Sequence, residues 1–356
     1  MHFDDGQVPE EYRRYIGWKI AFIGATAVAL AAALVASISL GAADVPILSV
    51  AKSLLGWEVP RRHEVIILNI RLPQALAAMV AGAGLAVSGA VMQSILRNPL
   101  GSPFTLGISH AAAFGAALSV MLFDTGAMSS TSMGAVTITR PMLTLCTALL
   151  SSMLAAGVIV LISRVRGATP EVMVLTGVAL GALFTAGTMF LQYFADDVQL
   201  AAMVFWTFGD AARATWPHLG VMTAVCLAGA VFFICNAWNY NAMDAGDETA
   251  KGLGVRVEGV RLLGMFLASL LTAVIIAFLG VIGFVGLVVP HMVRRIIGSD
   301  QRFLLPAGIF LGALLLLVSD TVARLILAPN VLPVSVLTAF MGAPVFIYLI
   351  MKGQRR

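Results

Sequence analysis

The polar residues of this chain interrupt long apolar blocks instead of alternating with them. Runs free of Asp, Glu, Lys and Arg cover residues 20–43, 72–96, 99–123, 141–163, 172–195, 214–243, 262–293, 303–319 and 325–351. The hydrocarbon core of a bilayer, about 30 Å thick, is crossed by about 20 apolar residues in a helix. Most of these runs fit one crossing each. At 32 residues, the run 262–293 is too long for one helix. Its middle, Gly280-Val-Ile-Gly-Phe-Val-Gly286, breaks a helix because glycine carries helix poorly. It is read as two helices, the second short and ending at Val288-Val-Pro-His-Met-Val-Arg-Arg295. The run 303–319 continues through Asp320 and Arg324 to about residue 326. The expectation is an all-α polytopic membrane protein of about ten transmembrane helices, with both termini on the same side. Residues 1–19 form a tail, 20–351 the transmembrane domain and 352–356 a second tail. The stretch 44–71 holds a short interfacial helix, and no connection is long enough for a large soluble domain.

Charge placement orients this array. Of 22 Lys and Arg, 15 fall on the side of the N-terminus and 7 on the other. Positive residues concentrate in cytoplasmic loops, so both termini are expected in the cytoplasm. Lys52, Arg61, Arg62, Arg71, Arg140, Arg213 and Arg324 form the outer set. The net charge of +4 therefore records orientation, not a nucleic-acid partner. Composition agrees: 60% of residues are hydrophobic, 11% are charged and the mean hydropathy is +0.95. Soluble domains carry about 25% charged residues, so a cytosolic enzyme and a disordered chain are both excluded. The first run exceeds the apolar core of a cleavable leader, and no clear small-residue cleavage site follows it. Cys146, Cys226 and Cys235 lie in apolar stretches and read as small buried hydrophobes.

Reactive constellations are absent from the sequence. There is no G-x-x-x-x-G-K-[ST] phosphate loop, no H-E-x-x-H, no zinc-spaced Cys pair and no G-x-S-x-G. No catalytic residue, metal ligand or cofactor is assigned to this chain. His110 and His291 are either hydrogen-bonded structural residues or part of a permeation path. Asp320 and Arg324, spaced i,i+4, share a helical face. They are either a mutually neutralising pair or a route for Arg324 to reach an acidic partner outside.

Two connections stand out. The cytoplasmic loop 241–258 contains Gly246-Asp-Glu-Thr-Ala-Lys-Gly-Leu-Gly254, a short helix capped at Gly246 or Asp247 and stopped at Gly254. Charges on one face and Ala250 and Leu253 on another make it a docking surface, as against a merely solvated connector. The link Arg97-Asn-Pro-Leu-Gly-Ser-Pro103 cannot be a continuous helix and is either a rigid turn or a gate.

The motifs Arg71-Leu-Pro73, Gly82-Ala-Gly-Leu-Ala-Val-Ser-Gly-Ala-Val-Met-Gln93, Arg97-Asn-Pro-Leu100 and Leu106-Gly-Ile-Ser109 resemble the FecCD family of permeases. Gly246-Asp-Glu-Thr-Ala250, Gly283-Phe-Val-Gly-Leu-Val-Val-Pro-His291, Leu332-Pro-Val334 and Gly342-Ala-Pro344 continue the resemblance in one register. The family supplies the membrane subunits of type II ABC importers for iron–siderophore complexes, haem and cobalamin. The resemblance implies a multi-pass protein of the cell inner membrane that pairs with itself as a homodimer or with a like subunit as a pseudo-dimer. It also implies two cytoplasmic ATPase subunits, which bind ATP and magnesium, and an extracytoplasmic substrate-binding protein. On the matched positions, Arg71 and Arg324 dock the binding protein. Asp247, Glu248, Thr249, Lys251 and Leu253 form the coupling helix that contacts the ATPase. Asn98, Leu100 and Thr169 contribute to the cytoplasmic gate. Gln74 stands where the family often has a second arginine, in the pattern R-L-P-R, so docking relies on fewer ion pairs or on Arg61 and Arg62.

The resulting expectation is a translocation subunit, not itself an enzyme, that moves a metal chelate by alternating access. A ferric siderophore or other iron complex is the first choice, with cobalamin, haem and molybdate or tungstate as alternatives. An ion-coupled secondary transporter is the competing class. It is disfavoured because, Asp320 apart, the carboxylates lie in loops or at segment ends.

Overall fold

The computed structural model describes residues 10–41, 43–128, 136–138, 140–328 and 330–351. Residues 1–9 of the first tail and all of 352–356, with Lys352, Arg355 and Arg356, lie outside the described residues. The chain begins with α1 (Glu10–Ser39), α2 (Ile47–Leu54) and α3 (Arg61–Val65). A π-helical turn, Ile66–Arg71, then joins α3 to α4 (Leu72–Ile95). Next come α5 (Ile108–Phe123), a small hairpin of β1 (Gly126–Met128) and β2 (Val136–Ile138), α6 (Pro141–Arg166) and α7 (Pro170–Phe194). They are followed by α8 (Asp197–Thr207), α9 (Trp216–Cys235), α10 (Ala237–Asp244) and α11 (Asp247–Gly252). The chain ends with α12 (Val257–Leu279), α13 (Val285–Ile297), α14 (Gln301–Ile326) and α15 (Val334–Met351). Among the described residues, seven helices are long and apolar enough to cross a membrane: α1, the continuous helix Arg61–Ile95, α6, α7, α9, α12 and α14.

The break expected at residues 280–286 is present. α12 stops at Leu279, Gly280 takes φ +83°, and α13 restarts after Phe284, itself at φ +66°. With 13 residues, α13 is about 20 Å long, shorter than a bilayer core. Irregular backbone is tolerated at such depth when protein covers it. Here Gly283 lies against the Phe104 ring and Gly342 of α15 abuts the Phe284 side chain.

Four features depart from the expectation, the first being that Cys146 and Cys235 are exposed and only Cys226 of the three cysteines is buried. The run 214–243 is not one helix: Asn236 separates α9 from α10. The Asn236 amide donates to the Phe232 carbonyl at 2.9 Å, a local bond that competes with helix continuation. The stretch 44–71 holds α2 and also α3, which runs through the π-turn into α4, so the second long helix starts at Arg61 instead of Leu72. α8 was not anticipated, although it carries a capping box in which Asp196 and Gln199 satisfy each other's backbone N–H groups.

The core is built on α4. Of its most apolar stretch 78% is buried, against 11% for α7 and 17% for α1. α4 packs on α12, α13 and α14 through small residues. Side chains at Gly82 and Gly89 would run into the Gly312 and Gly286 carbonyls, so only glycine allows the backbones to meet there. The bundle thus has a dense centre of α4, α12 and α14. On α7 large apolar side chains such as Leu183, Phe190 and Tyr193 stay exposed, so this face is not covered within the single chain.

Candidate functional site

Two polar clusters occupy opposite ends of the bundle. At one end meet the C-terminus of α4, α10, α11 and the N-termini of α12 and α14. At the other meet the C-terminus of α1, the N-terminus of α4 and the C-terminus of α14.

In the first cluster α11 is a compact projection. Gly246 caps it at φ +119°, and Gly254 at φ +85° turns the chain back so that the Val255 N–H donates to the Ala250 carbonyl. Ala250 faces inward and is buried, while Glu248, Thr249, Lys251 and Leu253 are exposed. Leu253, 70% exposed, is an apolar knob on an otherwise polar turn. Glu248 accepts from Lys251 at 3.0 Å, and this bond, with the charge behind it, holds the Lys251 ammonium above its ordinary pKa. Asp247 does not share this outward face. Its carboxylate accepts two bonds from Arg261, at 2.7 and 2.9 Å, and lies 3.9 Å from Arg97.

Arg261 was counted in the sequence only as one more cation. Its side chain, 2% exposed, also donates to the Ile95 carbonyl at 2.7 Å and to the Ala168 carbonyl at 2.9 Å. The two expected gate segments follow directly. Beyond Ile95, Arg97 adopts φ +47°, and the Asn98 side chain accepts the Leu100 N–H at 2.9 Å. Ser102 and Thr105 then brace the link through mutual hydrogen bonds. Leu100 is 45% exposed. Beyond Ala168, the Thr169 hydroxyl caps α7 by accepting the Val172 N–H at 3.4 Å. The structure brings Asp247 close to the starts of both segments expected to form the gate, through one arginine. A signal existed: Arg261 is the last charge before the run 262–293, a place where a cation is either solvated or firmly paired.

A second network lies alongside. Arg294 donates to Gln93, whose amide donates to the Leu287 carbonyl at 3.3 Å. Gln301 donates to Ser94 and Asp244 at 2.7 and 2.9 Å. Asp300 caps α14. Its partial burial alone would raise its pKa, but the Arg302 guanidinium, the Asn241 amide and the Arg302 backbone N–H hold the carboxyl down at about 2.

At the far end the expected docking arginines are engaged within the chain. Arg71 is buried and donates to the Ile38, Ser39 and Ala43 carbonyls at 2.8, 2.7 and 2.5 Å. The physical cause is the end of α1, whose last carbonyls have no intrahelical donors. Arg324 is paired with Asp320 at 3.1 Å and donates to the Ser37 hydroxyl at 2.8 Å. Gln74 donates to both Asp320 oxygens, at 3.0 and 3.1 Å. Of the two readings of Asp320 and Arg324, the geometry matches the neutralising pair. Arg61 and Arg62 are exposed nearby in sequence.

The remaining candidates sit apart. His110 packs against Phe104, ring centroids 5.4 Å apart, beside the break in α12–α13. His291 lies in the middle of α13. A cavity of about 370 Å³ between α6, α8, α9 and α12 is lined by Trp206, Arg213, His218 and Phe278, away from both gate segments. No group of three or more His, Cys, Asp or Glu suited to a metal ion occurs among the described residues.

The sequence and the fold have relatives among known proteins. The chain is 49% identical, over 98% of its length and 99% of the relative's, to an ABC transporter permease protein of Methanocaldococcus jannaschii. It is 38% identical to the hemin transport system permease protein HmuU of Yersinia pestis, covering 90% of this chain and 93% of that one. Its fold matches an inward-facing metal-chelate type ABC transporter with a TM-score of 0.80 at 29% identity, over 93% of this chain and 99% of the other. Residues 29–352 match the profile of the FecCD transport family. The chain belongs to the FecCD transport family and is a membrane permease subunit of the ABC importer type.

Proposed function

We propose that this chain moves an iron chelate, a ferric siderophore or a related iron complex, into the cytoplasm by alternating access. Two such chains pair around the path, two partner ATPases bind ATP and magnesium, and an extracytoplasmic binding protein delivers the substrate. The end carrying α11 faces the cytoplasm, in keeping with the excess of Lys and Arg there. The observation that carries the reading is α11 itself. A helix of six residues held between two positive-φ glycines, with Leu253 standing out beside Glu248 and Thr249, has the shape and chemistry to seat in a cleft of another protein.

A non-haem iron complex is favoured because relatives named for Fe(3+)-citrate and iron(3+)-hydroxamate import share the family, and a fold match is named for metal chelates. Haem, cobalamin and molybdate or tungstate are the alternatives. A passage with few fixed charges suits a bulky, rigid chelate, since strong contacts would retain it. Binding calorimetry of the cognate binding protein with a ferric siderophore, haemin and cobalamin separates these substrates.

The whole assembly is the test. An ATPase subunit is expected to accompany this chain through detergent extraction, and ATP to drive uptake in proteoliposomes. Glu248→Arg is expected to cut coupled uptake at least about tenfold, by placing a like charge where an acidic side chain meets the partner. Undiminished uptake by that variant would remove α11 as the contact. Uptake driven by an ion gradient with no ATPase present would replace the reading with a secondary transporter.

A further inference from the structure

We infer that Arg261 is the positioning residue through which movement of α11 reaches both cytoplasmic gate segments at once. The inference rests on the proposed reading of α11 as the ATPase contact and of Asn98, Leu100 and Thr169 as gate residues.

The Arg261 guanidinium bonds through all three of its nitrogens. Its Nε donates to the Ile95 carbonyl, Nη1 to the Ala168 carbonyl and Nη2 to both Asp247 oxygens. Four bonds from one planar group thus tie together three segments distant in sequence. Each acceptor sits at a functional edge. Ile95 ends α4 just before the link to Asn98 and Leu100, Ala168 precedes Thr169, and Asp247 opens α11. Arginine's fork is rigid and cannot lose its proton in a protein, so its contacts are fixed in direction and permanent in charge.

Burial makes the tie strong. With its side chain 2% exposed, Arg261 has little water to replace a lost partner. Separating Asp247 from it would leave a charge buried and unpaired, which is far costlier than moving the partners together. A displacement of α11 therefore carries the guanidinium, and the guanidinium carries the two carbonyls. The neighbouring Arg97 does not duplicate this role. It is 48% exposed, its nitrogen is 3.9 Å from Asp247, and no bond from it reaches the α6–α7 connection.

A purely structural arginine would hold these segments without relaying motion, and the two roles differ in what substitution changes. The test uses the full chain in complex with its ATPase, with Cys146, Cys226 and Cys235 replaced and a single cysteine placed at Leu100 or Thr169. Fluorescein maleimide labelling is compared between nucleotide-free and ATP–vanadate-trapped complexes, counted per assembled complex so that folding losses drop out. With Arg261 present, trapping is expected to change the labelling rate about fivefold at both positions, as for a two-state element biased by its partner. Arg261→Lys keeps the charge but not the fork, so it is expected to retain the ATPase and ATP hydrolysis while the change at both positions falls below about 1.5-fold.

Asp247→Leu severs the α11 limb, and with it the 3.9 Å contact to Arg97, while the two carbonyl bonds of Arg261 remain, and is expected to abolish both responses together. It decides the matter if Arg261→Lys fails to assemble. Parent-like labelling changes in either variant would overturn the inference. If the parent complex retains no ATPase, or shows no nucleotide-dependent labelling, the reading of α11 and the gates fails first and this inference falls with it.

Discussion

Asp320 and Arg324 form an ion pair inside the far end of the bundle. Asp320 is almost fully buried and Arg324 partly so; Asp320 is satisfied by Arg324 and Gln74, and Arg324 by Asp320, Ser37 and Thr321. Removing one partner strands the other charge, which costs about 3–5 kcal/mol, whereas replacing both by apolar residues is often near neutral. Asp320→Leu and Arg324→Leu alone are therefore expected to lower the melting temperature in detergent more than the double substitution does. Additive losses would show that the pair is not coupled. This pair also shows how far single residues were legible. Its i,i+4 spacing follows from helix geometry and could be read directly. Gln74 lies 246 positions away, and nothing in its local pattern marks it as the second partner of Asp320. The same holds for Arg261, whose acceptors at Ile95 and Ala168 are backbone carbonyls and so carry no residue signature.

At the scale of elements, the long apolar runs were legible because bilayer thickness dictates them, and breaks at glycine were legible for the same local reason. The turn of the chain at Asn236 was not, because it depends on α10 finding a place against α4 and α14, where Tyr240 and Met243 are buried. Packing between elements makes a sharper prediction. Gly89→Ala places a methyl against the Gly286 carbonyl, so α4 and α13 must separate. At Gly24 of α1 nothing lies within 4 Å, and alanine there gains helix propensity, about 1 kcal/mol. Thermal denaturation in detergent is expected to show Gly89→Ala clearly destabilised and Gly24→Ala unchanged or improved; equal effects would contradict the close approach. The cap of α14 gives a pH prediction. Because the folded Asp300 carboxyl is held at about 2, below its ordinary 3.8, its contribution is complete above about pH 4 and is lost as pH falls through about 2. Asp300→Asn is expected to remove that acid-range dependence while leaving the pH 5–8 stability profile flat, as measured by the same denaturation.

For the molecule as a whole, the two ends differ in what they offer a partner. The α11 end presents an exposed, preformed projection, whereas at the far end the two arginines expected to dock a binding protein are already held by α1 and Asp320. For Arg71, a move outward would release two backbone carbonyls at the end of α1 and that of Ala43 in the link beyond it, so this cation serves the fold before it serves a partner. Arg61 and Arg62 carry no such obligation: both are exposed at the start of the helix that becomes α4. If the binding protein presents acidic side chains, these two are, among the described residues, the exposed cations nearest Arg71 along the chain. Arg61→Glu with Arg62→Glu is then expected to weaken binding-protein capture about tenfold or more, with a loss that shrinks at high salt, as rim charges behave. Arg71→Glu is expected instead to lower the stability of the permease whether or not the binding protein is present. Surface-immobilised permease complex titrated with binding protein at two salt concentrations, beside a melting curve for each variant, separates the outcomes. Full-affinity capture by the Arg61→Glu, Arg62→Glu variant at low salt would return the docking role to Arg71 and Arg324, and would require the α1 end to open when the partner arrives.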